Sequence, residues 1–329
     1  MKLGVIIALI AGLVAAVYLI WVIGFGAVFA AVARAGIGGL LLLCLCSLAV
    51  TAALSLAWWV VLPPAQRMPH TRFFLARLVR EAIAEISPFS PVGGLMAAAR
   101  LAMLYGMQAS WAAASVAADM TTEAMAQVPF LAFGVLFSLG RIGSLQQSGA
   151  LRIAMMALVV LSVPAMALLV IVQKRGAGLA QRMAARFLPG AKDGNGFRDA
   201  ILALYDSPSR LAASASLHLI AWVSAGLITF AAFRLVGAQV SLVNAMALEA
   251  LLCTLRSIAA FVPAAIGVQE AGYAMLAPLF GIPAELGLAV SLLKRAREIV
   301  IGVPALVYWQ GVESRKAFAE TSSFGLGDG

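Results

Sequence analysis

The sequence predicts an all-α integral membrane protein with about six transmembrane helices plus two re-entrant helical hairpins in inverted-topology repeats. Three observations carry this prediction. The 329 residues are 63% hydrophobic and 11% charged, with a mean hydropathy of +1.00, whereas a soluble surface needs about a quarter of its residues charged. Several apolar runs exceed the roughly 20 residues that cross a hydrocarbon core. Two Pro/Gly-broken apolar segments, one in each half, are each followed by charges inside otherwise membrane-like helix.

Taken in order, Leu3 to Ile23 forms the first apolar run. It is too long for a signal-peptide core and has no convincing small-residue cleavage pattern, so it reads as a permanent span over roughly 3–25. Gly38 to Leu62 makes the second span. Pro63 to Arg80 follows with Arg67, Arg72, Arg77 and Arg80, and its Arg72 to Glu85 portion reads as a basic amphipathic helix on the inner leaflet. The first break, Ser87-Pro88-Phe89-Ser90-Pro91-Val92-Gly93-Gly94, lies in a dip over about 81–105. Spans near 107–139 and 151–173 come next.

A polar loop over 174–209 carries Lys174, Arg175, Arg182, Arg186, Lys192 and Arg198, with Pro189-Gly190 and Asp193-Gly194-Asn195-Gly196 as turn signals. Leu179, Met183, Phe187 and Leu188 give its first part a second basic amphipathic face. A span near 210–235 leads to the second break, Phe261-Val262-Pro263-Ala264-Ala265-Ile266-Gly267-Val268-Gln269-Glu270, in a dip over about 241–281. The last span runs near 284–311, and residues 316–329 are a short polar tail. Residues 1–315 thus read as one polytopic domain, with a first repeat at about 81–139 and a second at about 241–311. Laying Gly93 on Gly267 with one gap brings Gly106 onto Gly281 and Glu123 onto Glu298.

Orientation follows from the basic residues. The two Arg-rich segments with Arg210, together with Lys2, Arg315 and Lys316, hold most of the 23 Lys and Arg residues; only Arg34, Arg141, Arg152 and Arg234 fall near the opposite connections. Positive-inside therefore places both termini and both basic segments in the cytoplasm. The formal charge of +9 is spread over short connections rather than one basic domain, which excludes nucleic acid as the expected partner.

Non-helical backbone at membrane depth is tolerated only against protein or a water-filled cavity, so two matched breaks suggest a binding site near the midplane. A charge at the bilayer centre costs about 2.5–3.5 kcal/mol on insertion scales, yet charges cluster here. Asp119 and Glu123 share a helix face, as do Lys294 and Glu298, with Arg297 beside them; Arg100 and Glu270 follow the breaks, and Arg256 precedes the second. Asp119 and Glu123 are expected to face Lys294, Arg297 or Arg100, and Glu270 to face Arg256. The substrate-binding candidates are Pro88, Pro91, Gly93, Gly94, Arg100, Arg256, Pro263, Gly267, Gln269, Glu270, Lys294 and Arg297. The gating or proton-coupling candidates are Asp119, Glu123, Glu270 and Glu298.

Catalytic chemistry has little support. The chain has no G-x-S-x-G, H-E-x-x-H or Walker A motif, and no dinucleotide fingerprint. Cys44, Cys46 and Cys253 lie in apolar helix, and His70 and His218 have no carboxylates at metal-ligand spacing, so no metal or cofactor is expected. His218 reads as a satisfied interhelical donor. The paired acids Asp119 and Glu123 leave open an enzyme that holds a divalent ion against a lipid phosphate.

At the second break, Phe261 to Glu270, then Ala271-Gly272-Tyr273 and Gly281-Ile282-Pro283, resembles the family that includes the flippase domain of lysylphosphatidylglycerol synthases. That family has a P-G-G-x-G-x-x-E-like signature here; Pro263, Gly267 and Glu270 match, while Ala264 and Ala265 replace glycines. The first break is similar to the family's Pro, aromatic and Gly pattern, and the resemblance covers roughly 1–315. Length, the Arg-rich loop and the Ser-Pro-Phe-Ser-Pro break look most like the HpnL group, associated with hopanoid biosynthesis. The resemblance implies a bacterial inner-membrane lipid translocase without the synthases' soluble domain, moving a hopanoid or other polar-headgroup lipid. Its implied partners are that lipid, anionic inner-leaflet lipids and lipid-biosynthesis proteins; a non-catalytic scaffold for lipid biosynthesis is the further alternative.

Overall fold

The computed structural model describes residues 25–86, 90–142, 196–259 and 262–324, with scattered helical positions between 149 and 171. The described residues are helical, with no strand among them. Helix α1, Phe25–Val61, is an Ala/Leu-rich apolar run bent at Gly36, whose φ of 59° only glycine adopts cheaply. Pro63 and Pro64 end it, because proline cannot continue the hydrogen-bond ladder. Arg67 then folds back and donates to the carbonyls of Leu62 and Val60, both at 3.1 Å, satisfying acceptors left open at the helix end.

Helices α2 (His70–Ile86) and α3 (Ser90–Leu104) form a hairpin, and α4 (Ala109–Ile142) follows with Pro129 inside it. After α5 (Gly196–Tyr205) and α6 (Pro208–Leu235), a second hairpin runs through α7 (Leu242–Ile258), a 3₁₀ turn at Pro263–Ala265 and α8 (Val268–Leu276). Helix α9, Ala284–Phe324, closes the order, with Pro304 inside it. Helix α1 lies along α6; α2 packs on α3, α9 and α1; α4 packs on α6 and α7; α8 packs on α9. One apolar core gathers Trp58, Phe73, Leu101 and Ile201 about the first hairpin, and a second gathers Leu43, Phe233, Leu248 and Leu293 about the other.

The two hairpins share a register. Helices α2 and α7 are both 17 residues long and are related by a shift of 172 positions. A shift of 175 carries the start of α4 at Ala109 onto the start of α9 at Ala284, Gly106 onto Gly281, Glu123 onto Glu298 and Pro129 onto Pro304. Each hairpin also crosses on a glycine. A Cβ on Gly94 would lie 2.6 Å from the carbonyl oxygen of Arg80, and one on Gly272 would lie 2.5 Å from Leu252 Cδ1, Arg80 and Leu252 being matched positions of α2 and α7.

Among the described residues, three helices are long and apolar enough to cross a membrane: Val32–Val61, Ala109–Leu139 and Pro208–Leu235. The expected spans near 38–62, 107–139 and 210–235 coincide with them. The span expected over 3–25 lies outside the described residues, and that over 151–173 only partly within them. The span expected over 284–311 is helical throughout, but Lys294, Arg295, Arg297 and Glu298 make it too charged to stand alone in lipid.

The Arg72 to Glu85 segment differs from its expected place. It is the first arm of the hairpin, packed into the protein with Phe73, Ala76, Arg77 and Val79 buried. An amphipathic pattern requires only that the polar face meet something polar, and here carboxylates of α4 fulfil that role in place of water and headgroups. The basic face expected over 179–188 lies outside the described residues. Part of the expected 174–209 loop is α5, which packs on α4 and donates from Tyr205 Oη to Thr121 at 3.1 Å.

Candidate functional site: a charged chamber between the two hairpins

A cavity of about 540 Å³ lies where α1, α2, α4, α6, α7, the second break and α9 meet. Among the described residues, five cations line it, Arg77, Arg80, Arg256, Lys294 and Arg297, and five carboxylates, Glu81, Glu85, Glu123, Glu249 and Glu298. Such groups are costly in hydrocarbon unless they are paired or face a polar cavity. Both conditions are met here.

On the first-hairpin side, Arg77 and Arg80 bridge the two acids of α4. Arg77 reaches Asp119 and Glu123 at 2.9 Å each, and Arg80 reaches the same pair at 2.7 Å each. Each planar guanidinium divides its two terminal nitrogens between the two carboxylates, making one charge-assisted bond to each. His218 of α6 meets the other oxygen of Asp119 at 3.0 Å, as the expected interhelical partner. On the second-hairpin side, Lys294 donates to Glu249 at 2.8 Å, to Thr229 at 2.9 Å and to Tyr273 at 2.7 Å. Both hydroxyls pass a hydrogen bond on to Glu249 at 2.7 Å, so all three ammonium protons are used.

These two clusters are matched with reversed sign. The 172-residue shift places Arg77 on Glu249, and the 175-residue shift places Asp119 on Lys294. The buried pair Arg77–Asp119 thus recurs as Glu249–Lys294, with acid and base exchanged between the hairpin arm and the long helix.

Arg295 ties the two breaks together. Its Nε donates to Glu270 at 2.9 Å and Nη1 to Glu298 at 3.0 Å, while Nη2 donates to the carbonyl of Ala265 at 3.1 Å and Nη1 reaches the carbonyl of Glu85 at 3.4 Å. The backbone it holds is strained: Ala264 and Ala265 stand at φ 53° and 48°, where glycine is favoured, and Gly267 at 82°. Glu270 also accepts from the Gly267 amide at 2.8 Å, which closes the start of α8.

The sequence-derived candidates separate accordingly. Arg256, Lys294, Arg297, Glu123 and Glu298 line the chamber. Asp119 and Glu270 are buried immediately behind its wall, held by arginines. The pairings differ from those expected. Asp119 and Glu123 face Arg77 and Arg80 rather than Lys294, Arg297 or Arg100; Glu270 faces Arg295 rather than Arg256, and Arg256 faces Glu85 at 3.8 Å. Arg100 does not line the chamber; it is nearly half exposed and paired with Glu313 of α9.

Gly94 serves the hairpin crossing, and Gly267 the turn before α8. Gln269 is buried with neither amide atom hydrogen-bonded in the described structure. Pro91, Gly93 and Pro263 lie in α3, α3 and the 3₁₀ turn, and Pro88 lies outside the described residues. Arg77, Arg80, Glu85, Glu249 and Arg295 were not among the candidates. Arg77 and Arg80 resembled topology signals, and Glu249 was hidden as one acid in an apolar helix. The equal lengths of α2 and α7 would have brought Glu249 out.

Asp119, Glu123 and His218 present ligand atoms within 4.8 Å of one another, a grouping that could hold a metal ion. Arg77 and Arg80 occupy both carboxylates, however, and their two positive charges oppose a divalent cation at the same oxygens. The donor set therefore fits an ion-pair cluster better than a metal centre.

The lysylphosphatidylglycerol synthase TM region family matches residues 5–305, nearly the whole chain. The chain belongs to this family. No curated protein and no solved structure gives a significant match. Family membership makes this a membrane protein of a lipid-related group, linked to lipid modification or flipping.

Proposed function

We propose that the protein is a lipid translocase of the bacterial inner membrane, passing a polar headgroup between leaflets through the chamber while the acyl or polycyclic portion stays in lipid. The single observation that carries this reading is a cavity of about 540 Å³, lined by cations and carboxylates from both hairpins and bounded by the strained backbone of the second break. A headgroup passage needs replaceable polar partners along a path, which paired charges provide. In this reading the two hairpins are re-entrant, related by inverted topology, and rock about the chamber to give alternating access.

The likeness of the first break and the Arg-rich loop to the hopanoid-associated group makes a hopanoid the first lipid to test. Both termini are placed in the cytoplasm by the basic residues. Anionic inner-leaflet lipids at the 174–192 segment and lipid-biosynthesis proteins are the partners this role calls for. The deciding assay is leaflet exchange of labelled hopanoid and phospholipid in proteoliposomes. Faster exchange with protein than in protein-free liposomes supports the reading, and equal rates reject it.

A further inference from the structure

Glu85 differs from every other carboxylate in the chamber. Glu81, Glu123, Glu249 and Glu298 each lie within 3.0 Å of a cation, at 2.7, 2.7, 2.8 and 3.0 Å respectively. Among the described residues the Glu85 carboxylate has only Arg256 as an ion-pair partner, at 3.8 Å, and makes no hydrogen bond. Its side chain is about a quarter exposed, and that exposure opens on the chamber.

The charged groups that act on it are few. Glu81 stands one turn earlier on α2, Arg256 comes from α7, and Arg297 and Glu298 come from α9; Arg295 of α9 also approaches, 3.4 Å from the Glu85 backbone carbonyl, but its guanidinium is committed to Glu270 and Glu298 rather than to the Glu85 carboxylate. Helix α1 contributes Ser47 and Thr51 to the same cavity, α3 contributes Leu95, and the second break contributes Val262 and Ala264; none of these is ionisable. Two carboxylates thus oppose the charge on Glu85, and two arginines, neither closely docked on it, support it. A desolvated carboxylate with one loose counter-ion is the group in such a wall that exchanges a proton at least cost.

Its position gives that proton a consequence. Glu85 is the penultimate residue of α2, and Arg256 is in the last turn of α7. Their contact is the salt bridge that joins the ends of the two hairpin arms. The geometry points to Glu85 as the exchangeable proton site of the chamber: the ionised carboxylate holds Arg256 and links the hairpins, while its protonation breaks that link and frees the Arg256 guanidinium for an anionic group in the cavity. The proton binds to a carboxylate oxygen and no other bond changes. By linkage, an anion on Arg256 favours proton uptake by Glu85, and proton uptake favours the anion to the same degree. The acids named from sequence are less suited to this, because Asp119, Glu123, Glu270 and Glu298 are each held by arginine at 3.0 Å or less.

The proposal deepens the translocase reading, and its first test is independent of transport. Infrared difference titration of the purified full chain in nanodiscs should show a protonated-carboxyl band that grows as pH falls and is lost in Glu85→Gln. In Arg256→Gln the same band should titrate at a pH higher by about one unit or more, because an opposite charge has been removed. Glu85→Asp should retain a band, which separates loss of the group from loss of the fold. Identical titrations of wild type and Glu85→Gln, or an unmoved midpoint in Arg256→Gln, would overturn the proposal.

The second arm uses proteoliposomes with an imposed pH difference. Wild-type exchange of a labelled phospholipid should respond to the gradient, and Glu85→Gln exchange should not. A wild type that exchanges lipid at a rate indifferent to the gradient overturns the coupling while leaving the translocase reading intact. A wild type with the Glu85 band but no exchange of any lipid upholds the proton site and removes the translocase reading.

Discussion

Replacing Lys294 with Met should destabilise the protein strongly, and removing its partner at the same time should undo part of the damage. Lys294 is buried and uses its three protons on Glu249, Thr229 and Tyr273. Met fills the stem's volume but leaves Glu249, only 3% exposed, as an ionised group whose remaining donors are two hydroxyls and the Cys253 thiol at 3.6 Å. Breaking a buried pair on one side costs about 3–5 kcal/mol. At about 2 °C per kcal/mol for a chain of this size, the unfolding midpoint in detergent should fall by roughly 6–10 °C. In Lys294→Met with Glu249→Gln, the amide still accepts from the hydroxyls and no net charge is buried, so at least half of the loss should return. Arg100→Met is the internal contrast. Its pair with Glu313 is 46% and 29% exposed, and loss of such a pair is worth about 0–1 kcal/mol. Thermal unfolding followed by tryptophan fluorescence reads these three variants and Glu249→Gln alone. If the double variant is as unstable as the two single losses added together, or if Lys294→Met behaves like Arg100→Met, the buried network does not operate as described.

Three further outcomes follow from local geometry. Gly94→Ala should destabilise more than Gly272→Ala, because the new methyl meets the fixed carbonyl of Arg80 in one case and the movable end of Leu252 in the other; overpacking costs about 1–3 kcal/mol, and thermal midpoints rank the two. Ala264→Gly and Ala265→Gly should each raise the midpoint by the equivalent of about 1 kcal/mol, since both alanines are held at positive φ where glycine pays no Cβ penalty; a lower midpoint in both would show that the turn is not strained. For topology, single cysteines introduced at Gly176 and Gly237 in a cysteine-free background should react with impermeant reagents from opposite faces of the membrane, and reaction from one face would refute the six-span arrangement.

The apolar runs, the second break and the stop after Val61 were legible in the sequence because each rests on local chemistry: hydrocarbon-length runs, prolines that stop a ladder, and glycines that permit a turn; the first break lies partly outside the described residues, with Ser90–Gly94 already helical, and α1 and α9 run 13 residues beyond the spans expected at 38 and 311. Glu123 and Glu298 could likewise be matched, since they sit at the same distance beyond Gly106 and Gly281. The partners could not be read, because pairing is decided by how helices rotate against one another. Arg77 and Arg80 carried the same charge pattern as a cytoplasmic loop, and only the presence of Asp119 and Glu123 on the facing helix draws α2 inward. Arg295 was one of four charges in a five-residue stretch, and its role emerges only when the carbonyls of Ala265 and Glu85 are brought to it from two different hairpins.

Reversal of charge between the matched pairs bears on why both survive in a membrane. A buried ion pair is neutral in either orientation, so Arg77–Asp119 and Glu249–Lys294 can occupy equivalent places with equal packing cost and opposite dipoles. Had both hairpin arms carried arginine at these positions, the chamber wall would gather positive charge on its two arms and hold an anion too tightly to release it. With the sign exchanged, one arm contributes a cation and the other an acid at these matched positions, and the two pairs add no net charge to the wall. In the proposed translocase, what remains to attract a headgroup is then local: Arg256 and Arg297, whose partners are a carboxylate at 3.8 Å, a serine hydroxyl at 3.2 Å and the adjacent Glu298 at 3.2 Å, rather than a full bidentate match. A passage needs such partly engaged groups, because a ligand held by a fully committed lattice would have no path onward, and a ligand offered none would not leave the water.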